Sequence, residues 1–216
     1  MGPWSMKDKQ FKIVYIAPLK ALAAEIVSKF QKALEYLQVK VRELTGDMSM
    51  TKLEIQETHI IVSTPEKWDV VTRKTDGLMN TVTCMIIDEI HLLNDERGLV
   101  LECLVARAVT TGNKNQKPVR LVGLSATLPN YKDVGNFIQC SSKGVFAFDA
   151  SYRPTPLKCS FYGIKSMGNA ERGNNIMNDI IFENVTRMLA MGKQVIIFAH
   201  KRAETYNTAM ELKEII

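Results

Sequence analysis

The chain has 216 residues, 46% of them hydrophobic and 24% charged, with a net charge of +5 and a pI near 9.0. That is globular composition, enough for one large α/β domain or one domain plus part of a second, and it excludes a disordered chain. Uncharged apolar runs such as Met85-Ile86-Ile87 are only strand-sized, so no membrane partner is expected, and residues 1–6 show no secretion signal.

Residues 1–11 read as an irregular leader. Lys12 to Ala17 is a β-rich run that stops at Pro18. Leu19, Leu22, Ala23, Ile26, Phe30, Ala33, Leu34 and Leu37 then recur at three- and four-residue spacing, which predicts a helix. Val39 to Leu44 predicts a strand ending at the turn Thr45-Gly46-Asp47. His59 to Ser63 predicts another, followed by a short helix opened by Pro65. Val82 to Ile87 is an apolar strand that stops at an acidic pair. Leu99 to Val109 is helical, with Gly112 as its expected end cap. Val119 to Leu124 predicts a strand, Asn130 to Ile138 a short helix, and Val145 to Phe148 a strand closing the first unit. Ala150 to Pro156, with two prolines, breaks the pattern and reads as a linker. Beyond it, Leu157 to Ile164 and Gln194 to Ala199 are expected strands, and Ile176 to Met191 and Arg202 onward are expected helices.

Several strands are apolar at successive positions, so both of their faces must be covered. The expectation is an α/β fold with a mostly parallel sheet and helices on both faces. Cys84, Cys103, Cys140 and Cys159 form no CxxC pair, which suggests neither a zinc nor a redox site and fits a reducing compartment. The basic balance admits a polyanionic partner, but Lys and Arg are scattered rather than clustered.

In an open parallel sheet, ligands bind at the carboxyl ends of the strands. Asp88 and Glu89 stand at such an end. Hydrolysis of a nucleoside triphosphate needs one carboxylate to hold Mg²⁺, usually through water, and another to orient the attacking water. Two adjacent acids leaving a strand can divide those roles, because successive side chains point different ways. The same pair is equally what a strand shows where it reaches solvent. His91 invites a metal-ligand reading, but a hydrolytic zinc site needs about three protein ligands and no second His has the spacing. A hydrogen-bonding relay is the better role for it.

Ser125-Ala126-Thr127 also ends a strand. Its hydroxyls suit either sensing of a γ-phosphate or a helix-entry cap. Three loops are able to touch a phosphate backbone: Ala17-Pro18-Leu19-Lys20-Ala21, Thr45-Gly46-Asp47 and Thr64-Pro65-Glu66-Lys67. Two of them enter helices whose exposed N–H groups suit an anion, though proline there is also routine punctuation. His200 and Arg202 offer basic groups after a later strand, with a solvated helix start as the equal alternative.

Together, in order and spacing, Thr64-Pro65-Glu66-Lys67-Trp68-Asp69, Asp88-Glu89-Ile90-His91 and Ser125-Ala126-Thr127-Leu128-Pro129-Asn130 resemble the motifs of the superkiller-like group of superfamily-two helicases. Within that group the chain is similar to the large tandem-cassette helicases. Segments 20–25, 45–48 and 70–74 tilt the resemblance toward their cointegrator-complex branch rather than the spliceosomal one. The resemblance implies a first RecA-like lobe over 12–149, a linker over 150–156 and the beginning of a second RecA-like lobe over 157–216. It implies ATP and Mg²⁺ as cofactors, Asp88 and Glu89 as the catalytic acids, and Asp88 as the Mg²⁺ residue acting through water. His91, Ser125, Ala126 and Thr127 would couple hydrolysis to strand movement. Pro18 to Ala21, Gly46, Asp47, Thr64 to Lys67, His200 and Arg202 would grip single-stranded or partly duplex RNA or DNA. A multiprotein complex and a nuclear location, with the cytoplasm second, are implied as well.

Two departures stand out. No G-x-x-x-x-G-K-[S/T] occurs in the 216 residues, and Leu99 replaces the proline usual after Arg97-Gly98. The expectation is a fragment of an ATP-dependent helicase, inactive alone because the phosphate cradle and the second-lobe arginines are missing. The alternative is a non-catalytic short product that binds nucleic acid or docks on a complex. A third reading, a metal-dependent hydrolase using Asp88, Glu89 and His91, has too few ligands.

Overall fold

Residues 11–46, 48–165, 170–199 and 201–215 are described in a computed structural model of the chain. It divides into two compact units, Met1–Pro154 and Thr155–Ile216.

The first unit is built on a five-stranded, wholly parallel sheet. Its strands are β1 (Lys12–Ile16), β2 (Val41–Leu44), β3 (Ile60–Ser63), β4 (Val82–Ile87) and β5 (Arg120–Gly123), in the spatial order β2-β3-β1-β4-β5. The connecting helices are α1 (Lys20–Leu34), α2 (Lys52–Glu57), α3 (Pro65–Lys74) and α4 (Gly98–Lys114), with α5 (Tyr131–Phe137) following β5.

Alternation along the strands explains the two layers. Val14, Ile16, Ile61, Met85 and Ile87 point to one face and pack with Trp68 of α3 and Leu101, Leu104, Val105 and Ala108 of α4. Tyr15, Ala17, Ile60 and Val62 point to the other and pack with Ala23, Ile26, Val27 and Phe30 of α1. The apolar runs read from the sequence are therefore strands covered on both sides, and the expected α/β architecture is present.

The chain turns one way from β1 to β2 and the other way from β3 to β4. The reversal falls between β1 and β4, where ligand crevices form in open parallel sheets. Ladder register sets the strand ends in one row: Leu44 and Ile16 both pair with Ser63, Ile16 pairs with Ile87, and Ile87 pairs with Gly123.

Several details differ from expectation. Helix α4 runs on to Lys114, so Gly112 lies inside it rather than capping it. A Cβ at Gly112 would sit 3.1 Å from the Pro118 Cα, so glycine serves the close return of the chain toward β5. Helix α2 was not anticipated, although Thr51 and Glu54 form a capping box at its start. Segments 145–148, 157–164 and 194–199 are not strands. A strand exists only through its ladder, and none of these stretches has a pairing partner among the described residues. In the last of them Ile196 is 79% and Phe198 92% exposed, the reverse of a buried strand.

The second unit contains α6 (Ala170–Ala190) and α7 (Arg202–Ile215), joined in part by Asn178 Nδ2 donating to Glu211 Oε2 at 2.5 Å. All four cysteines are free, Cys103 and Cys159 exposed, Cys84 and Cys140 half-buried. No helix among the described residues is long and apolar enough to cross a membrane.

Candidate functional site

The row of strand ends carries most of the candidate residues. One step beyond it, in spatial order, stand Thr45, Thr64, Ala17, Asp88 and Leu124, so the loops 45–46, 64–67, 17–21, 88–91 and 124–127 form one rim. The backbone continues the ladder into that rim. The N–H of Ala17 donates to Ser63 O at 2.8 Å, that of Asp88 to Ile16 O at 3.0 Å, and that of Leu124 to Ile87 O at 2.9 Å.

Asp88 is fixed from two sides. The Tyr15 hydroxyl donates to its Oδ2 at 2.8 Å and the Glu89 N–H to its Oδ1 at 3.0 Å. Burial, with the Asp88 hydrogen bond and the charges of Asp88 and Glu89, pushes the Tyr15 hydroxyl pKa well above its ordinary value, so Tyr15 stays a donor. Glu89 occupies the left-handed region, with φ 52°, and this sends its side chain away from the line of β4.

His91 touches both neighbours. The Ala126 N–H donates to its Nδ1 at 3.3 Å, and Glu89 Oε2 lies 3.2 Å from the same nitrogen. One ring nitrogen cannot accept from an amide and donate to a carboxylate at once. The bond to Ala126 requires an unprotonated Nδ1, and a proton there would favour Glu89 instead. His91 is therefore placed to link the acid pair to the 125–127 segment. Ser125, Ala126 and Thr127 are exposed, and Ser125 Oγ donates to Ala126 O at 2.8 Å rather than capping a helix.

The three remaining rim loops are drawn together by side chains. A Cβ on Gly46 would stand 2.8 Å from Lys20 Nζ, so the ammonium group lies against the Gly46 backbone. Arg97 Nη1 donates to Pro18 O at 2.6 Å, and its Nε faces Glu66 Oε1 at 3.4 Å. Pro65 takes the first turn of α3 as its missing N–H allows. Leu19, Lys20, Ala21 and Glu66 are exposed and Lys67 is half-buried.

Asp47 and His200 lie outside the described residues. Arg202 opens α7 in the second unit and is exposed. Tyr15 and Arg97 were missed as site residues. The signal for Tyr15 was a polar-tipped aromatic within an aliphatic strand; Arg97 stands in the Arg97-Gly98 pair of the family pattern, but its contacts leave no local signal, because its partners are 79 and 31 positions away.

A family model for DEAD/DEAH box helicases matches residues 4–134. The chain belongs to the DEAD/DEAH box helicase family. It is 50% identical over 218 residues to activating signal cointegrator 1 complex subunit 3 of Dictyostelium discoideum, covering 100% of this chain and 10% of that one. Identity to the human subunit of the same name is 48%, covering 97% of this chain and 10% of the relative. The Arabidopsis thaliana DExH-box ATP-dependent RNA helicase DExH14 gives 48%, 97% and 10% in the same terms. The chain thus spans about a tenth of the length of these curated relatives. Among solved structures, the DUF1998 helicase MrfA superposes with a TM-score of 0.67 at 15% identity, covering 97% of this chain and 32% of that one. At that identity it speaks for the RecA-like helicase fold alone. The resemblance to the superkiller-like, cointegrator-branch helicases agrees with these relatives.

Proposed function

We propose that this helicase-family chain supplies the Mg²⁺–ATP carboxylates and the strand-gripping rim of an ATP-dependent nucleic-acid helicase. The observation that carries the reading is the register. It sets Asp88, the 125–127 segment and the three phosphate-facing loops at one end of one sheet, joined through His91 and Arg97.

Asp88 has the donor set for a water-mediated Mg²⁺. Each carboxylate oxygen accepts one hydrogen bond and keeps lone-pair capacity. Among the described residues no group of three or more His, Cys, Asp or Glu side chains could hold a metal ion. Mg²⁺ keeps several of its waters and takes further oxygens from nucleotide phosphates, so a single carboxylate is enough for the proposed role. When bound, Mg²⁺ would neutralise charge developing on the phosphates. Glu89 would orient the attacking water. His91 would report the state of Glu89 to Ala126, and Ser125 and Thr127 would pass it toward the gripping loops. Pro18 to Ala21, Gly46, Asp47 and Thr64 to Lys67 would hold one strand by its phosphates and sugars, a mode that by itself does not separate RNA from DNA. His200 and Arg202 would add contacts from what we take to be the start of a second lobe, after a linker at 150–156. The relatives named for a complex support a multiprotein setting, and a nuclear location, with the cytoplasm second, is part of the same proposal.

The test has two parts. The 216-residue chain should bind single strands with an affinity that falls steeply with salt. In a longer protein that includes a phosphate-binding loop, Glu89→Gln should abolish ATP turnover and spare strand binding. Turnover that survives Glu89→Gln sinks the carboxylate assignment. Strand binding by the 216 residues, with no turnover by the longer protein either, is the outcome that favours a non-catalytic binding product.

A further inference from the structure

The strand ladder fixes the rim only as far as Ala17 and Ser63. Beyond those residues the gripping loops rely on side chains for their spacing, and one side chain holds two of them. Arg97 donates through Nη1 to Pro18 O at 2.6 Å, and its Nε stands 3.4 Å from Glu66 Oε1. The first contact holds loop 17–21, which follows β1. The second holds loop 64–67, which follows the neighbouring β3.

The origin of that side chain is fixed as well. Arg97 immediately precedes α4, and at Gly98 a Cβ would lie 2.1 Å from Leu93 O. No side chain fits there, so the backbone at 97–98 is pressed onto the 3-10 turn Ile90–Asn94 that follows Asp88 and Glu89. Asp95 closes the same turn through its N–H to Leu92 O at 2.9 Å, and the Gly98 N–H donates to Asp95 O at 2.8 Å. From the acid pair to the guanidinium the chain is thus a short, close-packed connection.

We propose that Arg97 is a positioning residue that sets the distance between loops 17–21 and 64–67 for a nucleic-acid backbone, and that it ties this spacing to the turn carrying Asp88 and Glu89. The inference rests on the proposed strand-binding function. A guanidinium suits the task because its planar fork engages two acceptors in fixed directions, which a single ammonium point does not. Arg97 acts through Pro18 and Glu66 and not by touching phosphate itself.

The experiment is strand binding by the 216-residue chain, measured by fluorescence anisotropy of a labelled single strand across a salt series. Arg97→Ala should weaken binding about fivefold to tenfold, the scale of losing one charge-assisted hydrogen bond together with a half-exposed ion pair. The slope of log K against log salt should stay that of the unmutated chain, because no phosphate contact is lost. Lys20→Ala serves as the contrast, with a slope reduced by roughly 0.7 as one single-strand phosphate contact disappears. Arg97→Lys keeps charge and folding but loses the fork, so it should still bind several-fold more weakly than arginine, with the slope unchanged. That variant carries the test if the alanine variant does not fold, and far-UV circular dichroism melts identify such a failure. Unchanged affinity in both Arg97 variants overturns the inference alone. A slope that drops in Arg97→Ala as it does in Lys20→Ala also overturns it, making Arg97 a direct phosphate contact. No binding by the unmutated chain overturns both this inference and the function beneath it.

Discussion

The Tyr15 hydroxyl, on β1, donates to Asp88 Oδ2 across the strand boundary at 2.8 Å. The bond joins a side chain of one buried layer to the acid that leaves the neighbouring strand. Tyr15 also meets Phe30 of α1 edge-on, with ring centroids 5.8 Å apart.

Tyr15→Phe keeps that ring contact and removes only the hydroxyl. Loss of a hydrogen bond to a carboxylate should cost roughly 1.5–3 kcal/mol in urea unfolding. The pH dependence has a definite sign. The hydroxyl pKa is raised in the folded chain from an ordinary value of 10.0, so its contribution is complete below pH 10 and drains as pH climbs toward the folded value. The unmutated chain should therefore lose stability above pH 10 by a component that Tyr15→Phe lacks. Identical alkaline limbs would contradict this.

Asp69 links α3 to α4. Its Oδ1 lies 2.7 Å from Arg107 Nη2 and its Oδ2 2.9 Å from Arg73 Nη2, while Arg107 Nη1 donates to Thr72 Oγ1 at 2.6 Å. Burial pushes the Asp69 carboxyl up, but the Arg107 and Arg73 guanidiniums outweigh it and hold the pKa below the ordinary 3.8. The stabilisation is fully present above that ordinary value and is lost as pH falls through the lower folded one. Arg107→Ala should cost about 1–3 kcal/mol near neutral pH and start the acid unfolding limb at a higher pH. An acid limb that does not move would contradict it.

Lys12 is 3% exposed, and its ammonium closes the end of α2 by donating to Ile55 O, to Gln56 O at 3.1 Å and to Thr58 O at 2.9 Å. Cations are favoured at helix carboxyl ends, and these carbonyls have no further turn of helix to satisfy them. Lys12→Met should cost about 1–3 kcal/mol for the stranded acceptors. Hydrogen exchange should quicken first in 52–58; uniform quickening over the whole unit would argue against a local cap.

Trp68 is fully buried, and its Nε1 has no hydrogen-bond partner among the described residues. Trp68→Phe gives up no such bond and removes a desolvated donor, so it should cost less than half of what Trp68→Ala costs. The alanine variant should lose about 3–5 kcal/mol through the cavity it leaves. Equal losses in thermal melts would mean that the indole N–H is paired after all.

What could be read in advance was whatever lies within a few residues of itself. Runs such as Met85-Ile86-Ile87 announced strands covered on both faces, and the strand ends located Asp88 and the 125–127 segment. Local content failed where a partner decides the outcome. Val145 to Phe148 and Gln194 to Ala199 have strand composition, yet no ladder forms on them among the described residues. Gly112 looked like a helix end because glycine at a cap and glycine at a close approach are the same letter. Arg97 stands in a family pattern, but its role is not legible because its contacts depend on how β1, β3 and α4 come together. The Thr51–Glu54 capping box, by contrast, is a helix start that the sequence itself spells out.

The cysteine inventory has an experimental use. Cys103 on α4 and Cys159 in the second unit are both exposed, while Cys84 and Cys140 are half-buried. Brief treatment with a maleimide dye pair should load the two accessible thiols first and place one fluorophore in each compact unit without any engineered residue. Energy transfer between those dyes would then show, molecule by molecule, whether nucleotide or a nucleic-acid strand changes the distance from one unit to the other.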